Sequence, residues 1–235
     1  MNENLLSIIQ KKNGTSFLGE GLHTFLNHFS YLKVRGNRRA LKDIDYIYID
    51  GILLVYALRL AGIRNVKRMS FDMTSLAPLV FKHGIENGKT FYFAGSTEGS
   101  IQASLLNIKS TFKGINVIGF HKGYFKTNEE RKLVIDEICD LNPDVLIVGM
   151  GTVVQECFLS DVKSAGWNGT GYTCGGFFHQ TMNSIKYYPE LINRFHLRWF
   201  YRICKEPTVV ERYTIHFVRF IFIFLFDVLR FKWVF

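Results

Sequence analysis

The sequence predicts an open α/β fold, a mostly parallel sheet flanked by helices, with a basic and aromatic helical appendage at its C-terminal end. Three observations predict it. Short apolar runs alternate with helix-like segments at least four times. The runs are continuously apolar, as strands are when both faces of a sheet are covered. Most runs close on glycine, and from about residue 189 this rhythm gives way to basic and aromatic residues.

The elements follow in order. Residues 45–50 (DYIYID) form a strand that leads over Gly51 into a helix at 52–61, which Gly62 ends. TFYFAG at 90–95 is a second strand, followed by a helix at 98–112. INVIGF at 115–120 is a third; after the turn Gly123-Tyr124-Phe125 comes a helix at 128–140 with Asn128 as candidate N-cap. DVLIVG at 144–149 is a fourth, broken by Gly149-Met150-Gly151 before a helix at 153–165 that Gly166 ends. GTGYTCGG at 169–176 is a short strand with a further glycine break. A helix at 189–204 is interrupted by Pro207, and 211–235 is basic and aromatic. This divides the chain into an α/β core, 1–193, and an appendage, 194–235.

The 235 residues suit one large domain, with or without an appendage, and can bury a sizeable core. The four cysteines (139, 157, 174, 204) show no C-x-x-C spacing, which argues against a zinc site or a disulfide framework. No secretory leader is read at the N-terminus. The net charge is +9, and residues 194–235 hold eight Lys/Arg against three Asp/Glu. Such a tail suits nucleic acid, acidic lipid or a phosphate-bearing substrate. No nucleic-acid motif accompanies it, so nucleic acid is set aside. There is no P-loop, H-E-x-x-H or G-x-S-x-G.

In such sheets ligands bind beyond the carboxyl ends of the strands. The glycine breaks at 51, 95, 149/151 and 175/176 should therefore gather along one edge. Asp50 ends a strand there, so it either points into the ligand crevice or caps the helix at 52–61. Asp43-Ile44-Asp45 has the D-x-D form of a metal-binding pair, but it precedes its strand and belongs to the other edge. Gly149-Met150-Gly151 is backbone that a phosphate or ribose can approach. It is not a dinucleotide fingerprint, because Val154 takes the third glycine's place. Gln155 and Glu156 follow in the first helical turn; Glu156 favours the helix dipole, or the pair reads a nucleotide. His121 and His179 read as surface or packing residues.

Asp50-Gly51, Phe93-Ala94-Gly95-Ser96, Gly123-Tyr124-Phe125, Pro143-Asp144, Gly149-Met150-Gly151 and Gln155-Glu156 occur in an order that resembles the WecG/TagA/CpsF glycosyltransferases. Gly175-Gly176-Phe177, Trp199-Phe200-Tyr201-Arg202, Glu206-Pro207 and Glu211-Arg212-Tyr213 continue it, over about residues 25–213. The resemblance implies a Rossmann-like fold and inverting transfer from a UDP-sugar to a polyprenyl-diphosphate-linked sugar. It further implies no metal or other cofactor, and work at the cytoplasmic face of a bacterial membrane on surface polysaccharide. It makes Asp50 the catalytic base and Asn27 part of a T-x-N substrate pair whose threonine place is Phe25. Gly51, Gly95, Ser96, Gly123, Tyr124, Gly149, Gly151, Gln155 and Glu156 would then line the substrates. The chain departs from the family pattern at Val153-Val154-Gln155-Glu156 (P-K-Q-E), Gly175-Gly176-Phe177-Phe178-His179 (G-G-x-F-D) and His196-Leu197-Arg198-Trp199 (G-L-E-W).

Without a metal, a departing diphosphate must be met by backbone N–H groups and arginines, for which Arg202 and Arg212 are the candidates. The apolar run from Phe220 to Phe226 is seven residues, whereas a membrane span needs about 20. The tail therefore reads as an interfacial helix on acidic lipid, or as a helix packed on the core or on a second copy. Two other readings stand beside the transferase: an NAD-dependent oxidoreductase and a non-catalytic membrane adaptor.

Overall fold

The computed structural model describes residues 3–14, 16–189, 191–192, 195, 197–206 and 209–232. Six strands form one sheet: β1 (Leu22–Leu26), β2 (Tyr46–Ile49), β3 (Thr90–Gly95), β4 (Asn116–His121), β5 (Val145–Gly149) and β6 (Thr170–Thr173). They run in the order β2-β1-β6-β5-β3-β4, and every pairing is parallel. The α/β expectation holds, and the five strands anticipated in the sequence are present as β2 to β6.

The helices are α1 (Leu5–Lys12), α2 (His28–Gly36), α3 (Ile52–Leu60), α4 (Ala77–Glu86), α5 (Glu98–Thr111), α6 (Asn128–Leu141), α7 (Val154–Ser164), α8 (Phe177–Thr181), α9 (Arg198–Lys205), α10 (Val210–Tyr213) and α11 (Ile215–Lys232). Two apolar clusters cover the sheet, one around Ile9, Leu54, Leu146 and Phe158, the other around Phe81, Phe93, Ile108 and Phe177. Strands β3 and β5 are buried along almost their whole length, whereas β4 is a half-exposed edge. That is the burial expected of an open sheet with helices on both sides.

Several local expectations change. The N-cap of α6 is Thr127, whose hydroxyl accepts from the Glu130 amide at 3.1 Å; Asn128 is the first helical residue. The helix anticipated at 189–204 is described as a helix only over Arg198–Lys205 and at residues 191–192, and Pro207 lies outside the described residues. Strand β1 was not anticipated. Its sequence, LHTFL, buries His23 and Thr24 along with its leucines.

The C-terminal segment packs on the core with one face. Phe220, Phe224 and Phe231 of α11 join the larger apolar cluster. Asp227, only 3% exposed, accepts from Tyr31 Oη at 2.8 Å and from the Arg35 guanidinium at 2.7 and 2.9 Å. The Asn4 amide donates to its carbonyl at 2.9 Å. This fork-shaped pair satisfies both carboxylate oxygens and ties α11 to α1 and α2. Val218, Phe222, Leu225 and Leu229, one to three helical turns apart, point the other way and stay more than half exposed. No helix among the described residues is long and apolar enough to cross a membrane.

Candidate active site

The carboxyl ends of β1, β2, β3, β5 and β6 open into one cavity of about 540 Å³. Residues from the C-terminal segment, among them Arg198, Arg202, Arg212 and Tyr213, close its other side. Asp50, Asn27, Gly51, Ser96, Gly123, Tyr124, Gly149, Gly151, Gln155, Arg202 and Arg212 all line it. Gly95 and Glu156 stand behind the wall. Asp45 sits at the opposite edge, where its carboxylate accepts from the Leu22 amide at 2.8 Å and pairs with Lys163 at 3.2 Å. The described residues contain no group of three or more His, Cys, Asp or Glu arranged to hold a metal.

The glycine breaks serve two different ends. A side chain at Gly95 would run into the Gly149 backbone, and one at Gly149 would meet Cys174 and Phe178. These two glycines let neighbouring strand ends touch. Ser96, at φ 58°, donates its amide to the Gly149 carbonyl at 3.1 Å and accepts from the Gly123 amide at 2.8 Å. Gly151, at φ 81°, has open space where a side chain would be. Gly175, at φ 53°, is open in the same way, and both breaks leave room for a ligand.

Glu156 is fully buried. It accepts from Thr24 Oγ1 at 2.7 Å, from the Gln155 side chain at 3.1 Å and from the Val153 amide at 2.6 Å. Val153 has φ 78°, an unfavourable backbone for a β-branched residue, and that amide contact helps to fix it. Gln155 accepts from the Gly175 amide at 3.2 Å and faces the cavity. The pair thus divides: Glu156 orders the wall and Gln155 forms part of it. Asn27 caps α2, accepting from the amides of Phe29 and Ser30 at 3.0 Å. Phe25, in the threonine place of the T-x-N pair, lines the cavity and stacks on Tyr48 at 5.2 Å, while Thr24 points inward.

Asp50 does not cap α3. The cap residue is Gly51, without a side-chain bond. The Asp50 carboxylate is 38% exposed, into the cavity, and lies 3.6 Å from the Arg68 guanidinium. Arg68 Nε also donates to the Asp50 carbonyl at 3.0 Å, which fixes their relation. Withdrawal from bulk water pushes the carboxyl above its ordinary range; Arg68 opposes that shift and Asp72 adds to it.

Asp72 behaves oppositely. Burial pushes it upward, but Arg198 and the hydroxyls of Ser70 and Thr74 outweigh burial and hold it low. Its contacts are 2.5 Å to Arg198, 2.6 Å to Ser70 Oγ and 2.6 Å to Thr74 Oγ1. Two carboxylates with Arg68 between them are therefore driven apart in acidity, and Asp50 is the one raised, as suits a proton acceptor. Sequence reasoning missed Arg68 and Asp72, which lie in an irregular loop with no motif. Arg198 had been noted only as a departure from the family pattern. Arg202 faces the cavity but is paired with Glu206 at 2.9 Å.

The profile of the glycosyl transferase WecG/TagA/CpsF family matches residues 2–233. The chain belongs to this family. A galactosyltransferase of Shigella boydii, described as UDP-Gal:alpha-D-GlcNAc-diphosphoundecaprenol beta-1,4-galactosyltransferase, is 37% identical over 205 residues, 87% of this chain and 86% of that protein. N-acetylglucosaminyldiphosphoundecaprenol N-acetyl-beta-D-mannosaminyltransferases of Bacillus spizizenii and Bacillus subtilis are 30% and 28% identical over 71% and 76% of this chain, and 63% and 68% of those proteins. This WecG/TagA/CpsF protein is a glycosyltransferase, which sets aside the oxidoreductase and adaptor readings.

Proposed function

We propose that this glycosyltransferase moves a sugar from a UDP-sugar to a sugar carried on a polyprenyl diphosphate, with inversion and without a metal, in the synthesis of a bacterial surface polysaccharide. The observation that carries the reading is Asp50: a carboxylate at a strand end, open to the cavity, raised in basicity and oriented by Arg68. In the proposed step the acceptor hydroxyl attacks the anomeric carbon from the face opposite the nucleotide. Asp50 takes the hydroxyl proton, and the bond to the UDP oxygen breaks with its electron pair going to the diphosphate. Gly151, Gln155 and the Ser96 turn form the wall suited to the nucleotide, and Arg202 stands near to meet departing charge. The names of the relatives support this acceptor class, because each names a diphosphoundecaprenol-linked sugar.

The enzyme would work as a peripheral protein at the cytoplasmic face of the membrane. The exposed apolar face of α11, with Arg219 and Arg230 on the same helix, suits a lipid boundary with acidic headgroups. The test is transfer from a panel of UDP-sugars to a short-chain prenyl-diphosphate-GlcNAc, with and without EDTA, beside calorimetric titration of UDP. The expected result is EDTA-insensitive transfer by the native chain, and an Asp50→Asn variant that binds UDP but does not transfer. Transfer lost in EDTA would reject the metal-free mechanism. Full activity in Asp50→Asn would remove Asp50 as the base.

A further inference from the structure

The cations around the cavity are not equivalent. Arg68 pairs with Asp50 and Asp72, Arg198 with Asp72, and Arg202 with Glu206. Lys33 and Arg212 also line the cavity, yet neither makes an ion pair among the described residues. Both lie over one ring. Lys33 Nζ lies 4.9 Å and the Arg212 guanidinium 4.8 Å from the centroid of Phe29. Burial and the neighbouring charge of Arg202 disfavour the Arg212 cation more than Tyr213 and Glu206 favour it, and an anion beside it would act in the favourable direction.

The location narrows the anion. Phe29 and Lys33 belong to α2, which follows β1, and Asp50 follows β2, the next strand outward. The Gly149–Gly151 turn and Ser96 follow β5 and β3, on the other side of β6. The two cations therefore share the half of the cavity that holds the base, which must touch the acceptor. Phe29 also meets His216, in the first turn of α11, edge-on at 5.0 Å. From there the exposed stripe of Val218, Phe222, Leu225 and Leu229 leads away. A diphosphate carrying a long isoprenoid chain has this pattern of charge followed by grease.

We infer that Lys33 and Arg212, both beside Phe29, form the subsite for the diphosphate of the lipid-linked acceptor, distinct from the place of the donor's diphosphate. This rests on the transferase reading above and adds which residues select the acceptor. Lys33 is exposed on a helix surface, so its replacement should leave the fold intact. The test is steady-state kinetics with a water-soluble, short-chain prenyl-diphosphate-GlcNAc in the absence of any bilayer, varying acceptor and donor separately. Lys33→Ala should raise the acceptor KM about tenfold, the size of one lost charge-assisted contact, with donor KM and kcat within about twofold. Lys33→Glu should raise it further, and Lys33→Arg should restore most of it.

An unchanged acceptor KM in a native enzyme that does transfer would overturn the subsite. So would a rise in donor KM instead, which would assign the cations to the nucleotide. An effect seen only with anionic vesicles, and not with the soluble acceptor, would assign Lys33 to lipid headgroups and equally overturn it. Failure of the native enzyme to transfer at all would reject the transferase reading rather than the subsite alone.

Discussion

At the scale of single residues, the role proposed for Asp50 as base and its effect on stability oppose each other. Its carboxyl is raised because folding withdraws it from water, and Arg68 only partly offsets this. A carboxyl raised on folding stabilises the native state while it is protonated, and that contribution is lost as pH rises through its folded-state value. At neutral pH the Asp50 charge is therefore a cost. Asp50→Asn should raise the thermal midpoint at pH 7.5, and by less near pH 4, while transfer falls by about 10²–10⁴-fold. Calorimetric melts beside initial rates check both halves. Arg68→Met removes the nearest cation and should push the Asp50 carboxyl higher still. The acid limb of its kcat/KM profile should move to higher pH; a limb unmoved or moved to lower pH would mean that Arg68 does not tune the base.

At the scale of elements, the start of α7 and the seat of α11 show what the sequence makes legible and what it hides. Gln155 and Glu156 were visible as a polar pair after a glycine break, but their division of labour was not. It depends on Thr24, in the middle of β1, and on Gly175, just past the end of β6. Glu156→Ala should cost about 2–3 kcal/mol, because it strands the Val153 amide and leaves the Thr24 hydroxyl with Thr173 as its remaining partner. Gln155→Ala should leave the melting midpoint within about 1 kcal/mol equivalent and weaken UDP binding instead, as paired urea melts and titrations would reveal. Strand β1 escaped notice for a related reason. A central strand containing His and Thr looks polar until residues 132 and 149 positions away, Glu156 and Thr173, supply its hydrogen bonds. The apolar strands β3 and β5 needed no such partners and were read directly. Nothing local in the sequence marks Asp227, which is the buried anchor of α11. Asp227→Ala should cost about 3 kcal/mol by leaving Tyr31 and Arg35 unpaired, measured by urea denaturation.

At the scale of the whole molecule, α11 is apolar on two sides, and only one of them meets the core. Phe220, Phe224 and Phe231 are buried, while Val218, Phe222, Leu225 and Leu229 are not. Removing the helix would therefore unseat the core as well as any membrane contact, and a loss of binding after truncation would be ambiguous. Surface substitution separates the two. Each half-exposed side chain transferred into lipid should contribute about 1 kcal/mol, below the value for full burial. The triple variant Phe222→Ser, Leu225→Ser, Leu229→Ser should then lower partitioning onto anionic vesicles by about 50–200-fold, with little change in melting temperature. Replacing Arg219 and Arg230 by Gln should act differently. Binding should weaken mainly on acidic vesicles and lose much of its salt dependence, since exposed charges are screened within about 10 Å at 0.1 M salt. Sedimentation with vesicles of zero and 30% anionic lipid, ~0.3 mole fraction, distinguishes the contributions. If the triple variant pellets like the native chain, the face does not enter lipid. If the native chain instead forms a dimer in lipid-free buffer that the same variant abolishes, the exposed stripe belongs to a second copy. Catalysis beside a bilayer would then need another anchor.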